Sequence, residues 1–199
     1  MQLTSLVILV ILQISTFFLR LNGEKEESAN IFFNREVVAE KLFLNQREGL
    51  VYEGDILFTG ISVSSYPNGE VAEKVTYFHG KRNGFRRKWF ENRTLSFEAF
   101  YKSNKLNGEV KTWWSNGILR SESHFEKGKA NGLQKQWYST GKIFKELNMV
   151  FGKEEGIQKA WRENGKIYVN YEAKNGRIFG LKRANLCFEL SEENIVIND

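Results

Sequence analysis

The sequence predicts an all-β fold: an elongated single-layer antiparallel meander of about five β-hairpin repeats, each 24 residues long, with an N-terminal cap. Three observations predict it: tryptophans recur every 24 residues, glycines keep the same step, and Asn-Gly pairs recur between alternating apolar runs. A constant period of this length is typical of repeat architectures, in which each unit buries its apolar surface against its neighbours. The tryptophans are Trp89, Trp113, Trp137 and Trp161, and the glycines are Gly60, Gly84, Gly108, Gly132, Gly156 and Gly180.

The composition suits short strands joined by tight turns. The 199 residues include sixteen Phe, seven Tyr, five Trp and seventeen Gly, but one Pro. Aromatic residues favour strands, and glycine adopts turn conformations easily. The formal net charge of +5 is a mild excess that concerns solubility and non-specific contacts rather than fold. Cys187 is the one cysteine, so no internal disulfide bond can form, and we interpret it as a small buried residue.

The first 23 residues form a segment of their own. Residues 3–19 are an uncharged, mostly apolar run that Arg20 closes. The run is long for the apolar part of a signal peptide and short for a spanning helix, which needs about 20 residues. Both a cleaved signal peptide, with Gly23 as the best candidate cleavage site, and an uncleaved membrane anchor stay open. Either interpretation predicts that the remainder is exported, to the periplasm or cell surface, or anchored to the membrane by this segment.

The remainder divides into three parts. Residues 24–59 are a tether and an N-terminal cap, in which apolar runs at 42–44 and 50–52 favour a hairpin, with a short helix near 35–41 as an alternative. Residues 60–182 are the repeats, and residues 183–199 are a partial repeat and a tail. Terminal repeats are usually atypical because they close the stack.

The turn residues predict how the strands pair. Counting each anchor glycine as position 0, position 8 is usually Asn and position 9 usually Gly, which favours a two-residue type I′ turn. Such a turn would place position 6 opposite position 11, and position 3 opposite position 14. The expected pairs are Tyr66/Val71, Phe90/Leu95, Trp114/Leu119 and Tyr138/Ile143, and the opposite-charge pairs Arg87/Glu98, Lys111/Glu122 and Lys135/Glu146. Arg93 replaces the turn glycine of the second repeat, so that hairpin is expected to be strained or to have a different loop.

Two stretches carry a resemblance to a known family. Units such as NGLQKQWYSTGKIFKELNMVFGKEEG resemble the bacterial MORN repeat variant, and GLVYEGDILFTG followed by YPNGE resembles the start of YwqK-type antitoxin proteins. The resemblance covers about residues 48–182. It implies a non-enzymatic antiparallel sheet that binds other proteins, in some cases a toxin. Arg93, Asn104 in the second loop column at position 20, and Arg162 at position 6 depart from the repeat pattern.

Two columns of side chains are candidate partner-binding residues. The tryptophans at position 5 form either a packing ladder or an exposed contact surface, since Trp is frequent at binding hot spots. Position 21 is basic in every repeat and has no predicted acid opposite, so it is either a solvated turn edge or a contact edge for an acidic partner or an anionic envelope polymer. The candidate residues are Trp89, Trp113, Trp137, Trp161, Lys81, Lys105, Lys129, Lys153 and Arg177.

The sequence offers no catalytic or metal-binding pattern. His79 and His124 share no ligand spacing with another His or Cys. No Ser-His-Asp or Cys-His arrangement can be assembled, and the glycines follow the turn period rather than a phosphate-binding loop. We therefore expect no enzyme activity, no cofactor and no small-molecule substrate.

The leading hypothesis is a non-enzymatic module for protein–protein binding, antitoxin or immunity-like, whose partner is a toxin or an envelope protein. The alternative is a cell-envelope binding module that stacks sugars or choline-like groups on the tryptophan ladder. A third hypothesis, a basic sheet that binds anionic lipid or single-stranded nucleic acid, is disfavoured because the predicted glutamate pairs reduce the positive field. Contact with a membrane is expected through the N-terminal segment.

Overall fold

The computed structural model describes residues 35–181, and the structural statements below concern that range. Its elements are seventeen strands and one short 3-10 helix, η1 (Ala39–Lys41). The strands are β1 (Glu36–Val38), β2 (Leu42–Asn45), β3 (Leu50–Glu53), β4 (Ile56–Leu57), β5 (Gly60–Ser65), β6 (Val71–Phe78), β7 (Lys81–Trp89), β8 (Leu95–Lys102), β9 (Lys105–Trp113), β10 (Leu119–Glu126), β11 (Lys129–Ala130), β12 (Gly132–Trp137), β13 (Ile143–Val150), β14 (Lys153–Glu154), β15 (Gly156–Trp161), β16 (Ile167–Lys174) and β17 (Arg177–Leu181). The predicted leader, most of the tether and the C-terminal partial repeat lie outside the described residues.

The repeats form an antiparallel meander in which the strands follow chain order, which confirms the predicted fold class. An exception is β1, which pairs in parallel with β5. The chain divides into two compact units, and their described parts are residues 35–93 with 100–105, and residues 94–99 with 106–181. Each unit is described by itself.

The N-terminal cap belongs to the first unit and is a three-stranded sheet of β2, β3 and β4. The expected hairpin joins β2 to β3, and the helical alternative corresponds to the three residues of η1. The cap is fastened to the first repeat through backbone groups. The N–H of Val51 donates to the carbonyl oxygen of Gly80 at 2.9 Å, and the N–H of Gly80 donates to that of Phe58 at 2.8 Å. The Phe58 side chain, 2% exposed, fills the core beneath this junction.

The Asn-Gly loops differ from the predicted type I′ turns. The N–H of the glycine at position 9 donates to the carbonyl oxygen of position 6, as from Gly117 to Trp114 and from Gly141 to Tyr138, both at 2.9 Å. Within each loop the glycine has a positive φ, 84° at Gly117, whereas Asn116 does not. A type I′ turn needs positive φ at both central residues, so these loops are i to i+3 turns that end in a glycine bulge.

The bulge changes the strand register. Position 5, rather than position 6, faces position 11, so Trp113 lies opposite Leu119 and Trp137 opposite Ile143. The predicted pairs Tyr66/Val71, Trp114/Leu119 and Tyr138/Ile143 are therefore wrong by one residue. The position 3 with position 14 pairs are confirmed where both strands lie in the second unit. These pairs are Lys111/Glu122 and Lys135/Glu146, while Arg87 and Glu98 fall in different units.

The type I′ turns occur instead at the second loop of each repeat. Positions 19 and 20 both have positive φ, for example 46° at Phe151 and 85° at Gly152. Val150 pairs with Lys153 across this two-residue loop. Asn104 replaces the glycine without changing the turn, because its φ of 67° lies in the left-handed region that Asn tolerates.

Hydrogen bonds that span about one period join consecutive repeats at both ends of the strands. At one end the turn glycine donates its N–H to the strand of the previous repeat, as from Gly152 to the carbonyl oxygen of Ala130 at 2.8 Å. At the other end the aromatic side chain at position 6 donates to the backbone of the next tryptophan. The Tyr138 hydroxyl lies 2.8 Å from the carbonyl oxygen of Trp161. Comparable bonds run from Tyr66 to Trp89 and from Trp114 to Trp137.

The core lies on one face of the sheet, the face that carries positions 2, 15 and 17. Its most buried side chains are mostly apolar, but in the second unit it includes two glutamines at position 2. Gln158 is fully buried; its Nε2 donates to the carbonyl oxygen of Asn148 at 2.9 Å, and its Oε1 accepts the N–H of Asn148 at 2.8 Å. Gln134 similarly donates to the carbonyl oxygens of His124 and Gly132. Each glutamine thus satisfies backbone groups where the strand pairing is interrupted.

Tyr171 is the most perturbed tyrosine of the core. Its hydroxyl donates to Glu154 Oε2 at 2.8 Å, and the residue is 7% exposed. Burial, followed by this hydrogen bond and the charge of Glu154, raises the pKa of Tyr171 to about 12. Because its pKa is higher in the folded protein than the ordinary value of 10.0, the protonated Tyr171 hydroxyl contributes its full stabilisation of the fold below pH 10. This contribution is lost as the pH rises through 12.

Replacing Tyr138 by Phe removes one of the side-chain bonds between repeats. We expect the free energy of unfolding to fall by about 1 kcal/mol, the usual net contribution of one hydrogen bond. The measurement is urea unfolding followed by circular dichroism. Tyr168→Phe is the matched control, because the Tyr168 hydroxyl has no hydrogen-bond partner among residues 35–181. An equal loss in both variants would contradict the proposed role of the Tyr138 hydroxyl.

Replacing Tyr171 by Phe tests the buried hydroxyl. The wild type should lose stability between pH 10 and pH 12, because the unfolded chain releases the Tyr171 proton at lower pH than the folded protein does. Tyr171→Phe should lose less stability over the same interval and should lack the last step in the tyrosinate absorbance titration. A Tyr171→Phe titration that superimposes on that of the wild type would show that the pKa is not raised.

Candidate functional site

The two predicted columns lie on the same face of the sheet but at opposite ends of the strands. In the second unit, for example, Lys153 at position 21 begins β14 and Trp161 at position 5 of the next repeat ends β15. Side chains alternate along a strand, so residues separated by an even number of positions share a face. The two columns therefore share a face in this unit, although the irregular pairing between β14 and β15 makes their separation shorter than eight extended residues. They are therefore two borders of one surface, opposite the core, which we call the column face.

The tryptophans are half-buried. In the second unit Trp113, Trp137 and Trp161 each lie opposite an aliphatic residue on the neighbouring strand, and Trp161 faces Ile167. The carbonyl oxygens of Trp137 and Trp161 accept the bonds between repeats described above. Each of these tryptophans thus packs inside its hairpin and keeps part of its surface on the column face.

The basic column is fully on the surface. Lys81, Lys105, Lys129, Lys153 and Arg177 are all exposed. None of them forms an ion pair with another residue in the described range, so their charges are solvated. In the second unit equivalent residues are separated by two strands, about 9.6 Å at 4.8 Å per strand. In that unit the column is therefore a row of evenly spaced positive charges.

The middle of the column face is electrically balanced where acids face the position 3 cations. Lys111 Nζ lies 2.7 Å from Glu109 Oε2 and 3.2 Å from Glu122 Oε1. Its hydrogen bond to Glu109, then that to Glu122, raises the pKa of Lys111 and keeps it charged. Lys135 lies 4.0 Å from Glu146. Lys111 and Lys135 are therefore compensated by acids, whereas Lys129, Lys153 and Arg177 along the turns form no ion pair within the described residues.

The first unit contains a groove on the column face that the sequence did not reveal. Its volume is about 450 Å³, and its apolar wall includes Phe85, Trp89 and Val71. The rings of Phe85 and Phe100 meet edge to face with centroids 5.3 Å apart. The guanidinium carbon of Arg87 lies 4.4 Å from the Phe85 ring centroid, the geometry of a cation–π contact.

Charged side chains border this groove. Lys74, Arg87 and Arg93 line it together with one carboxylate, Glu70. Arg93 holds Glu70 through two hydrogen bonds, from Nε at 2.7 Å and from Nη2 at 2.5 Å. Lys74 forms a close ion pair with Glu36. Arg93 and Lys74 are thus already paired with carboxylates beside the aromatic wall.

Arg93 occupies the turn glycine position without changing the loop. Its N–H donates to the carbonyl oxygen of Phe90 at 2.9 Å, the same bond that the glycines make in the other repeats. Its φ is 66°, which is unfavourable for a residue with a side chain. The expected strain is thus present, whereas the expected different loop is not.

Within residues 35–181, no group of three His, Cys, Asp or Glu side chains is placed to hold a metal ion. The His79 ring packs edge to face on Phe78 with centroids 4.3 Å apart. His124 is exposed on the column face. None of the elements in this range is a helix long and apolar enough to span a bilayer.

Three segments of the chain match a family described as MORN repeat variant. The segments are residues 58–79, 106–127 and 130–150. Their starting points differ by whole multiples of the 24-residue period, so they match the same phase of three different repeats. MORN repeats are repeat modules and often have binding roles. No curated protein matches the chain.

Proposed function

We propose that the protein is a non-enzymatic repeat module that binds another protein through its column face, in the manner of an antitoxin or an immunity protein. The observation that supports this most directly is the basic column, five exposed cations without an ion-pair partner among the described residues. A row of solvated charges attracts a partner of opposite charge and favours one orientation of it. The partner we propose is therefore a protein with an acidic surface, either a toxin or an envelope protein.

The resemblance to antitoxin proteins and the matches to a repeat family with binding roles support the same proposal. The apolar leader supports a location outside the cytoplasm, as an exported or membrane-anchored protein. The half-buried tryptophans supply large, rigid contact area at the border opposite the cations. Cations and tryptophans would then contact the same partner from two sides of one surface.

A cell-envelope binding module is the second candidate, favoured by the even spacing of partly exposed tryptophans. Aromatic rings can stack on the apolar faces of sugars or on choline-like cations. The two candidates differ in which column carries the affinity. A protein partner attracted by charge requires the basic column, whereas a sugar ligand requires the tryptophans and is insensitive to the cations.

Removing the basic column of the second unit tests the proposal. The full chain, solubilised in detergent, is used to capture cross-linked partners from the source cells, beside a variant with Lys129, Lys153 and Arg177 changed to Gln. We expect one stoichiometric protein that the variant captures at least tenfold less well, since three rim charges of about 0.5–1 kcal/mol each combine to such a factor. Higher salt should weaken capture by the wild type in the same way.

The matched control changes Lys111, Lys135 and Lys159 to Gln, which removes the same charge from position 3 of the same unit. It should capture the partner nearly as well as the wild type, because acids on the column face already balance Lys111 and Lys135. Equal losses in both variants would indicate a response to net charge rather than a basic contact edge. Envelope polysaccharide without a dominant protein would contradict the proposal and favour the second candidate.

A further inference from the structure

We infer that the second unit binds an amphipathic α-helix of the partner protein, which lies across the strands on the column face and carries acidic residues at a seven-residue spacing. The inference rests on the proposed function and deepens it, because it names the secondary structure of the partner and the order of its side chains. Two parallel rows of residues carry it, one apolar and one cationic. Both rows lie within the described part of the second unit.

The apolar row crosses the strands of this unit. Leu133 lies opposite Asn148 on the next strand, and the side-chain amide of Asn148 donates to the carbonyl oxygen of Ile157. Ile157 and Phe179 in turn both lie opposite Glu172, one on each side of it. Leu133, Ile157 and Phe179 are 42%, 52% and 54% exposed. Roughly half of each apolar residue in the row is therefore open to a partner.

The cationic row runs beside the apolar row, along the turns, and consists of Lys129, Lys153 and Arg177. Lys153 lies opposite Val150 on β13, whereas Asn148, which reaches the apolar row, precedes Val150 by two residues. Arg177 likewise precedes Phe179 by two residues on β17. Two residues of a strand are about 6.6 Å long. The two rows are thus close enough for one partner element to contact both.

Positive charge remains in excess along this border. Its exposed cations form no ion pair within residues 35–181, and they are Lys129, Lys153, Lys174 and Arg177. Of the nearby carboxylates, Glu154 is bonded to a core hydroxyl, and Glu126 lies 3.8 Å from Lys127. Glu155 and Glu172 lie beside the rows and offset part of the charge. A partner that brings carboxylates to the cationic row therefore neutralises charges that the described residues leave unpaired.

The spacing of both rows matches an α-helix. Equivalent residues of successive repeats are two strands apart, which is about 9.6 Å. Seven residues of an α-helix rise about 10.5 Å and return to nearly the same side of the helix. Side chains on one side of an extended strand recur about every 6.6 Å, so an extended segment would match neither row. The long, flexible lysine side chains can absorb the small difference between helix and sheet.

The two rows also set the order of side chains on the helix. Residues three or four positions apart lie on one side of a helix with their Cβ atoms about 5–6 Å apart, close to the separation of the rows. Acidic residues at one heptad position would contact the cations, and a large apolar residue three or four positions later would cover Ile157. The partner residue that faces Glu172 must not be acidic, because like charges at that point would repel.

Two synthetic peptides of equal composition test the inference on the full chain in detergent. In the heptad peptide, each of three heptads carries one Glu and, three residues later, one Leu, among Ala and Gln residues. In the reordered peptide, the same residues are placed so that Glu and Leu do not share one side of a helix. We expect the heptad peptide to bind at least tenfold more tightly in fluorescence anisotropy. A central Ala changed to Pro should abolish this preference, because Pro interrupts a helix.

Ile157→Thr tests the apolar row, and Ile167→Thr is its matched control. Both isoleucines belong to the second unit, on neighbouring strands, and their exposures of 52% and 49% are similar. Ile157→Thr should weaken binding of the heptad peptide about fivefold, as expected when half of an isoleucine side chain no longer becomes buried. Ile167→Thr should stay within about twofold of the wild type, since Ile167 lies at the other end of the strands.

Equal binding of the two peptides to the wild type, or equal losses in the two variants, would overturn the inference. The chain's own C-terminal segment is a rival occupant, because residues 186–199 include acidic and apolar side chains. Changing Glu189, Glu192 and Glu193 to Gln should leave the affinity for the heptad peptide unchanged. A tenfold increase would mean that this segment occupies the rows, and would overturn the inference as well.

Capture from the source cells separates this inference from the proposed function. A captured protein that depends on the cationic row but is held equally well by Ile157→Thr, together with equal binding of the two peptides, would refute the helix site and leave the proposed function standing. Failure to capture any protein, together with failure of both peptides to bind, would refute both.

Discussion

Hydrogen bonds between consecutive repeats are the constraint on which the rest of this structure depends. A single hairpin is marginal in water, so each repeat needs bonds to its neighbour as well as apolar packing. The turn N–H of Gly152 and the hydroxyl of Tyr138 act at opposite ends of the strands, and both bond to backbone one repeat away. Fixing both ends sets the spacing of the repeats, and that spacing in turn fixes the rows of side chains on the two faces.

The same constraint explains why the core contains polar side chains. Strand pairing between repeats is interrupted where extra residues enter one strand, and backbone groups there lose their sheet partners. Leaving such groups unsatisfied would cost about 1–3 kcal/mol each. Gln158 supplies both a donor and an acceptor to Asn148 and is fully buried as a result. The core face thus combines apolar packing with side chains that satisfy backbone groups, and it also carries charged residues such as Arg86, which pairs with Glu73.

The period and the strand order could be predicted from the sequence because each of the five repeats provides the same information in phase. The turn type could not, since an Asn-Gly pair fits both a type I′ turn and a three-residue loop with a glycine bulge. The choice between the two turns depends on the φ of Asn116, which the residue pattern does not determine. Because the loop has a glycine bulge, Leu119 lies opposite Trp113 rather than the predicted Trp114. The opposite-charge pair of Lys111 and Glu122 survived because it lies beyond the bulge.

The candidate columns were predictable for the same reason, since each column consists of the residues at one position of successive repeats. The groove was not, because it depends on residues that break the period. Phe85 and Phe100 look like ordinary strand residues in sequence, and their ring contact appears only when β7 and the end of β8 are placed together within the first unit. Arg93 was recognisable as a departure, but its bonds to Glu70 and its place beside Trp89 required coordinates.

The hydrogen bonds between repeats end on main-chain acceptors. The residues that join the repeats therefore do not restrict the side chains that can contact a partner. Trp161 accepts the Tyr138 hydroxyl through its carbonyl oxygen, which any amino acid at that position would also offer. Ala130 accepts the N–H of Gly152 in the same way. The outward side chains can therefore diversify from one repeat to the next while the scaffold stays joined. Evolution can therefore change the binding surface of one repeat without disturbing the bonds that hold the repeats together.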